Sequence, residues 1–494
     1  MRDCEDEFIV GQKAAQLGFT EVALDKCFYA IDIKGLSVMY VLPASNPDAS
    51  DFSTSRFDPA LELSPHLEHL FSEVKNIGHK RAGSANLYLR GSRSRSQLKS
   101  VPVGLLILDE IDEFRQDNIP LIFERMSGQR EKQAFMLSTP TIDHYGINAY
   151  FRRSSQDHFF FQCPHCSKWT ELLFPDCLVV IGDDWADPKV RGSYLKCKEC
   201  DHTLNHKAKS EWLAPAKWIS SYTDRDIKGY HVSQLYSPTV RPYELAVSYL
   251  KGLTNPTDEQ EFYNSKLGLT HVVEGARVQD KDLEACMGSH KMVLHHYTGL
   301  VTMGVDVGKF LHYELTQWFH TEDSSDVNLQ AEGKMIRAGK VLHFEELDDL
   351  MSAFNVAFCV IDANPERRKA LEFCQRWSGR AKMCFYSNGA NGRNIHVQPE
   401  ENYALSVDRT SWLDLSMGRI HKSKITFPVD LPDEYKRNLK ALVRVYKKDG
   451  QGNPVGKYER GNLDDHFAHA RNYNEIALNM AASNARHYDI GGIY

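Results

Sequence analysis

The stretch GLLILDEIDEF, residues 104–114, carries four apolar residues directly into two carboxylates, Asp109 and Glu110. Burying two acids at the tip of an apolar strand is unfavourable unless a cation lies opposite them. Proteins that hydrolyse nucleoside triphosphates place an Asp there to hold Mg²⁺, and often a Glu beside it to prepare the attacking water. The stretch therefore indicates either a metal-binding catalytic site or an ordinary strand that ends in a turn. The surrounding sequence distinguishes these two interpretations.

Residues 1–150 alternate short apolar runs with helical stretches. The predicted strands are EFIVGQ, LSVMYVLP, ANLYLRGS, GLLILDE and QAFMLSTP, and TEVALDKCFYAI is a predicted helix. This alternation favours a mostly parallel sheet covered by helices. A later stretch, residues 270–290, is predicted to be an irregular connection.

The composition is that of an ordinary globular protein, with 42% hydrophobic and 25% charged residues in a chain of 494. That length predicts more than one domain. The net charge of −7 neither indicates nor excludes a nucleic-acid partner, because a local basic surface can coexist with an acidic total. No apolar run has the length of a membrane span, and the first residues lack the pattern of a signal peptide. The eleven cysteines are interpreted as reduced thiols and metal ligands.

A candidate phosphate-binding loop lies in GQKAAQLGFTEVAL, residues 11–24, between a predicted strand and a predicted helix. Such a loop needs small residues, a Lys for charge and a hydroxyl for Mg²⁺. Gly18 and Thr20 meet two of these needs, but Phe19 occupies the usual place of the Lys. Lys13, at the front of the loop, is then the candidate charge. A strand–helix turn with an incidental Gly is the alternative.

Four cysteines have the spacing of a structural zinc site. CPHC contains Cys163 and Cys166, and CKEC contains Cys197 and Cys200. Each pair lets two thiolates reach one ion, and two pairs complete a tetrahedral shell suited to Zn²⁺. Redox chemistry of a single CxxC is the weaker alternative, since it needs no second pair. The sequence predicts a zinc ribbon.

Three acidic positions stand out in the last third of the chain. Asp306 lies within the predicted strand VTMGVDVGK, Asp362 ends FCVIDA, and Asp464 and Asp465 precede a predicted helix. Each alone could be a strand end or a helix N-cap. Together they match an RNase H-like layout, in which carboxylates bind two Mg²⁺ or Mn²⁺ ions for phosphodiester cleavage. Asp465 is favoured over Asp464 as the third ligand.

Two histidines follow these acids. His466 and His469 are one helical turn apart and could assist a metal, although capping or packing is the more ordinary role for both.

The loop with its displaced lysine, the LILDE stretch and the STP of residues 138–140 resemble the large terminase subunit of tailed bacteriophages, in particular the lambda-type branch. GYHVSQLYSP, residues 229–238, also resembles that branch, and the resemblance covers nearly the whole chain. It implies an ATP-driven DNA-packaging motor. The implied roles are phosphate binding by Lys13, Gly18 and Thr20, Mg²⁺ binding by Asp109, catalysis by Glu110, and coupling of hydrolysis to movement by Ser138 and Thr139.

The resemblance also implies a nuclease that cuts concatemeric DNA. The implied partners are double-stranded DNA, a small terminase subunit, the portal of the procapsid and further copies of this chain in a ring, all in the host cytoplasm. Two features depart from the family or stay open. The segment that commonly holds the adenine before the first strand is short here, and either Arg56 or Arg81 could supply the transition-state charge.

The predicted fold class is α/β. Residues 1–150 are predicted to form a P-loop ATPase core with a parallel sheet, and residues 151–225 a zinc-ribbon insertion. Residues 226–295 are predicted to contain the end of the ATPase domain and a connector, and residues 296–494 an RNase H-like nuclease. The expected cofactors are ATP, Mg²⁺ or Mn²⁺, and Zn²⁺. The alternatives are a recombination-type helicase-nuclease, for which a second set of helicase motifs is missing, and a non-catalytic zinc-ribbon DNA-binding scaffold.

One basic segment remains. NLYLRGSRSRSQLKS, residues 86–100, concentrates Arg90, Arg93, Arg95 and Lys99. It is either a solvated loop or a loop that follows the phosphates of a DNA duplex.

Overall fold

The computed structural model describes residues 1–99, 101–319, 327–387, 393–397, 403–448, 454–461 and 463–489. The chain divides into two compact units. The first comprises Met1–His271 and Tyr446–Pro454, and the second comprises Val272–Val445 and Val455–Tyr494. Among the described helices, none combines the length and the apolar character that a membrane crossing needs.

The first unit has fourteen described strands and a set of mostly short helices. The strands are β1 Phe8–Lys13, β2 Val38–Leu42, β3 Val74–Asn76, β4 His79–Ala82, β5 Ala85–Gly91, β6 Leu105–Asp109, β7 Gln133–Ser138, β8 Asp157–Gln162, β9 Trp169–Thr170, β10 Leu178–Val179, β11 Tyr194–Lys196, β12 Thr203–Leu204, β13 Lys217–Ser220 and β14 Ile227–Val232. The α-helices are α1 Phe19–Asp32, α2 Ser50–Phe52, α3 Asp58–Glu62, α4 Pro65–Leu70, α5 Ile119–Phe123, α6 Gly146–Phe151, α7 Lys209–Leu213, α8 Pro242–Gly252 and α9 Pro256–Glu261.

The main sheet of this unit has the strand order β13-β8-β14-β1-β7-β6-β2-β5-β4-β3, and β9 pairs with β8. Strands β14, β1, β7, β6, β2 and β5 are parallel, so their carboxyl ends meet at one edge. Every residue of β2 and β6 is buried, because helices cover both faces of a parallel sheet. The strands predicted at β1, β2, β5, β6 and β7 are confirmed. Strands β8 and β13, from the segment predicted as a ribbon, also belong to this sheet.

The second unit is a mixed α/β fold. Its strands are β15 Leu300–Val307, β16 Leu311–Phe319, β17 Glu332–Val341, β18 Phe358–Asp362, β19 Ala381–Ser387, β20 His396–Val397, β21 Ala404–Asp408 and β22 Ile425–Thr426. Strands β23 Leu442–Lys448 and β24 Pro454–Arg460 belong to it up to Val445 and from Val455. Its helices are α10 Asp280–Ala285, α11 Val327–Gln330, α12 Phe344–Ala353, α13 Arg367–Arg376, α14 Arg409–His421, α15 Asp433–Ala441 and α16 His466–Asp489. Helix α10 lies in the segment predicted to be an irregular connection.

The sheet of the second unit has the order β20-β21-β19-β18-β15-β16-β17-β22, while β23 and β24 form a separate pair. Helix α16 packs closely on β15. A Cβ at Gly304 would lie 2.0 Å from the carbonyl oxygen of Ala470, so only glycine permits this approach. Thr302 Oγ1 donates a hydrogen bond to Asn474 Oδ1 at 2.6 Å, and Arg471 Nη1 pairs with the buried Glu314 at 2.9 Å. These contacts fix where α16 begins relative to the end of β15.

Candidate active sites

The segment between β1 and α1 has the backbone of an anion-binding loop. Gln16 and Gly18 have φ angles of 56° and 77°, in the left-handed region, and Gly18 is the N-cap of α1. Residues 15–20 are at least partly exposed. Left-handed residues turn successive N–H groups toward one concave surface, and the helix N-terminus adds positive charge. The loop is therefore suited to phosphate despite its departure from the usual pattern.

Asp109 ends β6 beside this loop. Its Oδ2 accepts hydrogen bonds from Thr20 Oγ1 at 3.1 Å and from Tyr40 Oη at 2.7 Å. Oδ1 is buried, and no described residue donates a hydrogen bond to it. Burial and the neighbouring charge of Glu110 raise the pKa of Asp109. A divalent cation would supply the missing partner for Oδ1 and favour the ionised carboxylate, so Asp109 and Thr20 fit a Mg²⁺ ion.

Glu110 joins Lys13 and Ser138. Its φ of 61° is unusual for a residue other than glycine, and such strain is concentrated at functional sites. Lys13 is 5% exposed, and its Nζ lies 2.9 Å from Glu110 Oε1. Ser138, at the end of β7, directs Oγ to Glu110 Oε2 at 3.4 Å. The three side chains come from the ends of three parallel strands and form one charged cluster.

The segment that follows Glu110 is held by Asp112. Its two carboxylate oxygens accept the N–H groups of Thr141, at 2.8 Å, and Ile147, at 2.7 Å. A Cβ at Gly146 would lie 2.2 Å from Asp112 Oδ1, so this position needs glycine. Thr139 and Glu110 line a cleft of about 370 Å³. The STP segment is thereby tied to the loop that carries Glu110.

Neither candidate for the transition-state arginine lies in this charged cluster. Arg56 Nη1 pairs with Glu21 of α1 at 2.8 Å, and Arg81 in β4 pairs with Glu73 at 3.3 Å.

The four predicted cysteines come together. The thiols of Cys163, Cys166, Cys197 and Cys200 all lie within 4.8 Å of one another. Cys163 Sγ and Cys200 Sγ are 3.9 Å apart, close to the separation of about 3.8 Å expected for two thiolates on one tetrahedral zinc ion.

Both CxxC loops have the same backbone geometry. Ser167 N–H donates to the Cys163 carbonyl and Asp201 N–H to the Cys197 carbonyl, each at 2.9 Å. The φ angles of Ser167 and Asp201 are 58° and 57°. The cluster therefore fits a closed metal shell.

The acids of the second unit converge on the carboxyl ends of β15 and β18. These strands are parallel, with Val305 opposite Ile361, so Asp306 and Asp362 are the next residues in register. His466 Nδ1, from the first residue of α16, lies 2.8 Å from Asp306 Oδ2. Burial, with the charge of Asp306 as a further cause, raises the pKa of Asp362 to about 6. A cation bound between the two carboxylates would relieve this cost.

Asp465 is buried, whereas Asp464 is exposed. Asp465 Oδ1 pairs with Arg460 at 3.1 Å and Oδ2 with His469 at 3.2 Å. Burial would raise the pKa of Asp465, but the hydrogen bond and charge of His469, with the nearby arginines, outweigh burial and lower it to about 2. Asp465 is therefore ionised at neutral pH.

Two residues near these sites were missed by the sequence analysis. Tyr40 gave no signal, because a tyrosine in an apolar strand is typical of a core position. His312 is the residue opposite Asp306 across the β15–β16 hairpin. The two residues are six positions apart in the sequence, a separation that a tight hairpin between two strands brings into register.

Comparison with known proteins gives the following matches. The family model of the phage terminase large subunit gpA, ATPase domain, matches residues 1–218, and that of the terminase large subunit gpA, endonuclease domain, matches residues 227–488. The crystal structure of the HK97 bacteriophage large terminase has a TM-score of 0.50 and 9% identity, covering 96% of this chain and 91% of that chain.

Two further solved structures have lower TM-scores. The large terminase of the thermophilic bacteriophage D6E has a TM-score of 0.31 and 10% identity, covering 97% of this chain and 95% of that chain. The ATPase domain of the Thermus phage P74-26 large terminase has a TM-score of 0.32 and 13% identity, covering 54% of this chain and 90% of that chain. No curated protein matches the sequence.

Proposed function

The chain belongs to the family of phage terminase large subunits of the gpA type, with its ATPase and endonuclease domains, and from this premise we propose how its residues carry out DNA packaging. Family membership makes the protein an ATPase and an endonuclease that uses a nucleotide and divalent metal ions. The assignments of ATP, of Mg²⁺ or Mn²⁺, of zinc and of individual residues are proposals.

In the ATPase, Lys13, Gly18 and Thr20 bind the phosphates of ATP. Asp109 and Thr20 would hold Mg²⁺, and the ion would supply positive charge beside the phosphates. Lys13 pairs with Glu110 in this structure. When a phosphate of ATP attracts Lys13, Glu110 is released from this pair and can orient the attacking water. Ser138 and Thr139 sense this change, because Ser138 Oγ lies beside Glu110 Oε2. The convergence of Lys13, Glu110 and Ser138 is the observation that carries this assignment.

In the endonuclease, Asp306, Asp362 and Asp465 bind Mg²⁺ or Mn²⁺ for cleavage of the DNA backbone. The bound ions would supply Lewis-acid charge to the phosphodiester at this centre. Asp306 and Asp362 are adjacent on parallel strands, and Asp465 directly precedes the helix that contacts Asp306 through His466.

The experiment that tests the combined function uses one preparation of the full chain. ATP hydrolysis is measured with and without linear duplex DNA, and cleavage of supercoiled plasmid is measured with Mg²⁺, with Mn²⁺ and with EDTA. We expect DNA-stimulated hydrolysis together with metal-dependent cleavage. Cleavage that persists in EDTA would contradict the metal mechanism, and hydrolysis indifferent to DNA would contradict the motor.

Zinc at Cys163, Cys166, Cys197 and Cys200 is proposed to be structural, because all four positions of a tetrahedral shell are filled by thiolates. We expect one zinc per chain by elemental analysis. The Cys197→Ser variant should lose most of it and unfold at a lower temperature. The matched control is Cys177→Ser, since Cys177 is buried in the same hydrophobic cluster but lies outside the four-thiol group. Equal zinc in both variants would contradict the assignment.

The basic loop after β5 is proposed to contact DNA phosphates. Arg93, Arg95 and Lys99 are exposed, while Leu98 is fully buried and anchors the loop. Arg90 is excluded from this group, because its guanidinium donates to the carbonyl of Gly78. The loop starts at the carboxyl edge of the sheet, where Lys13, Asp109 and Ser138 also lie.

The same loop is connected to the ATPase site. Asn118 Nδ2 donates to the Ser92 carbonyl at 2.7 Å, and Arg115 N–H donates to Ser92 Oγ at 3.3 Å. Arg115 and Asn118 belong to the segment that follows Glu110. These hydrogen bonds connect the segment that follows Glu110 to the start of the basic loop.

Replacing the three exposed cations Arg93, Arg95 and Lys99 by Ala should weaken DNA binding equally for all sequences. Each lost phosphate contact lowers the slope of log K against log salt by about 0.9, so the slope should fall by about 2 to 3. Fluorescence anisotropy at several salt concentrations measures this slope. The control variant replaces three other exposed cations of the same unit by Ala, which are Arg2, Lys34 and Arg130. Arg2 lies before α1, Lys34 after α1 and Arg130 before β7. An equal fall in both triple variants would contradict a specific role for the loop.

The remaining partners are also proposals. A small terminase subunit, the portal of the procapsid and a ring of identical subunits fit a packaging motor, and the host cytoplasm is the compartment in which it would work.

A further inference from the structure

We propose that His312 and His466 join Asp306 in holding a transition-metal ion, so that the nuclease has two metal positions of different chemistry that share Asp306. This inference rests on the proposed nuclease and concerns the metal that one of its positions selects.

The strand order places Asp306 between two different ligand sets. Strand β15 lies between β18, which ends at Asp362, and β16, which carries His312 directly opposite Asp306. The oxygen ligand of Asp362 is therefore on one side of Asp306, and a nitrogen ligand is on the other. Among the described residues, Asp306, His312 and His466 form a group whose ligand atoms all lie within 4.8 Å of one another.

The distances fit ligands around one ion. His466 Nδ1 and Asp306 Oδ2 are 2.8 Å apart, and adjacent ligands of an octahedral ion with bonds of about 2.1 Å are about 3 Å apart. The rings of His312 and His466 are nearly parallel, at 9°, with centroids separated by 4.6 Å. Both imidazoles therefore reach the same carboxylate from neighbouring positions.

His312 has an unused nitrogen. The side chain is 4% exposed, and in the described part of the chain Nδ1 is buried without a hydrogen-bond partner. Its other nitrogen, Nε2, lies 3.9 Å from Glu434, which itself pairs with Lys340 at 2.8 Å. The ring of Phe467 packs edge-on against the His312 ring, with the two ring centroids 4.9 Å apart, and holds the orientation of the imidazole. A buried imidazole nitrogen left unpaired is unfavourable unless it has a partner such as a metal ion.

The donor set predicts the metal. Carboxylates suit Mg²⁺ and Mn²⁺, whereas imidazole suits transition metals and is a poor ligand for Mg²⁺. Two imidazoles and one carboxylate therefore favour a transition-metal ion over Mg²⁺ at this position, and Mn²⁺, which is paramagnetic, is the ion used to probe it. The position between Asp306 and Asp362 takes either ion.

The test is Mn²⁺ binding to the zinc-loaded full chain, followed by electron paramagnetic resonance. We expect the bound Mn²⁺ of the unaltered protein to show the nuclear modulation of directly coordinated ¹⁴N. His312→Ala and His466→Ala should each reduce that modulation and weaken Mn²⁺ binding about ten-fold or more. Mg²⁺ affinity, measured by calorimetry, should change less than three-fold. The matched control is His295→Ala, an exposed histidine of the same unit.

The outcomes separate this inference from the nuclease itself. Bound Mn²⁺ that is lost in Asp306→Asn but shows no nitrogen modulation in the unaltered protein would overturn the histidine site and leave the carboxylate site standing. Mn²⁺ binding that is indifferent to Asp306→Asn would overturn both. Because the nitrogen signature is read on the unaltered chain, the test does not depend on the variants folding.

Discussion

Replacement of Glu110 by Gln is expected to lower ATP hydrolysis by about a hundred-fold to ten-thousand-fold, the usual range for loss of a positioned general base. The amide keeps the size of the side chain and can still accept a hydrogen bond from Lys13 or Ser138, but it cannot take a proton from water. Phosphate binding depends on Lys13 and the α1 loop, so nucleotide affinity should remain. Steady-state phosphate release and binding of a fluorescent ATP analogue measure the two effects separately.

The control for this prediction is Glu124→Gln. Glu124 is exposed and lies only fourteen positions further along the chain, in the segment that follows Glu110. Its removal should leave hydrolysis unchanged. If Glu110→Gln hydrolyses ATP at the normal rate, Glu110 serves only as the ion-pair partner of the buried Lys13. Loss of both binding and hydrolysis would instead indicate damage to the phosphate loop.

Much of the first unit could be predicted because apolar runs that end in polar residues mark where its strands end. The apolar run before Asp109 is long enough to read as a buried strand, and parallel strands bring their carboxyl ends to one edge. The ATPase and nuclease domains, the α/β class and the resemblance to the terminase large subunit are confirmed. Sequence could not show that Lys13 turns toward Glu110, because spacing gives the order of residues along a loop and not the direction of a side chain.

Other features depend on contacts between distant segments. Tyr40 contacts Asp109 only because β2 pairs with β6. The sequence of either strand does not show which strand lies beside it. Helix α10 has six residues, too few for helical periodicity to distinguish it from a connection. Cysteine spacing indicates metal-binding loops but not the strands around them, so the pairing of β8 and β13 with the main sheet gave no signal.

Replacement of Asp306 by Asn should abolish metal-dependent DNA cleavage while ATP hydrolysis continues. Asp306 lies on β15, and Asp362 is next to it in register on the neighbouring strand β18. His466 Nδ1 lies 2.8 Å from Asp306 Oδ2. Loss of its charge weakens every metal position that it shares, and metal ions contribute several kcal/mol to phosphodiester cleavage. At 1.36 kcal/mol per ten-fold, a loss of about 4 kcal/mol lowers the cleavage rate about a thousand-fold.

Nicking of supercoiled plasmid in Mn²⁺ measures this loss, with ATP hydrolysis by the same preparation as the test of folding. The control is Asp349→Asn, because Asp349 is an exposed carboxylate on α12 of the same unit. It should cleave DNA at the unaltered rate. Cleavage that survives Asp306→Asn would move the nuclease centre away from β15 and remove the basis for assigning Asp362 and Asp465. Loss of cleavage together with ATP hydrolysis would point to misfolding, and Asp362→Asn would then test the same centre from the neighbouring strand.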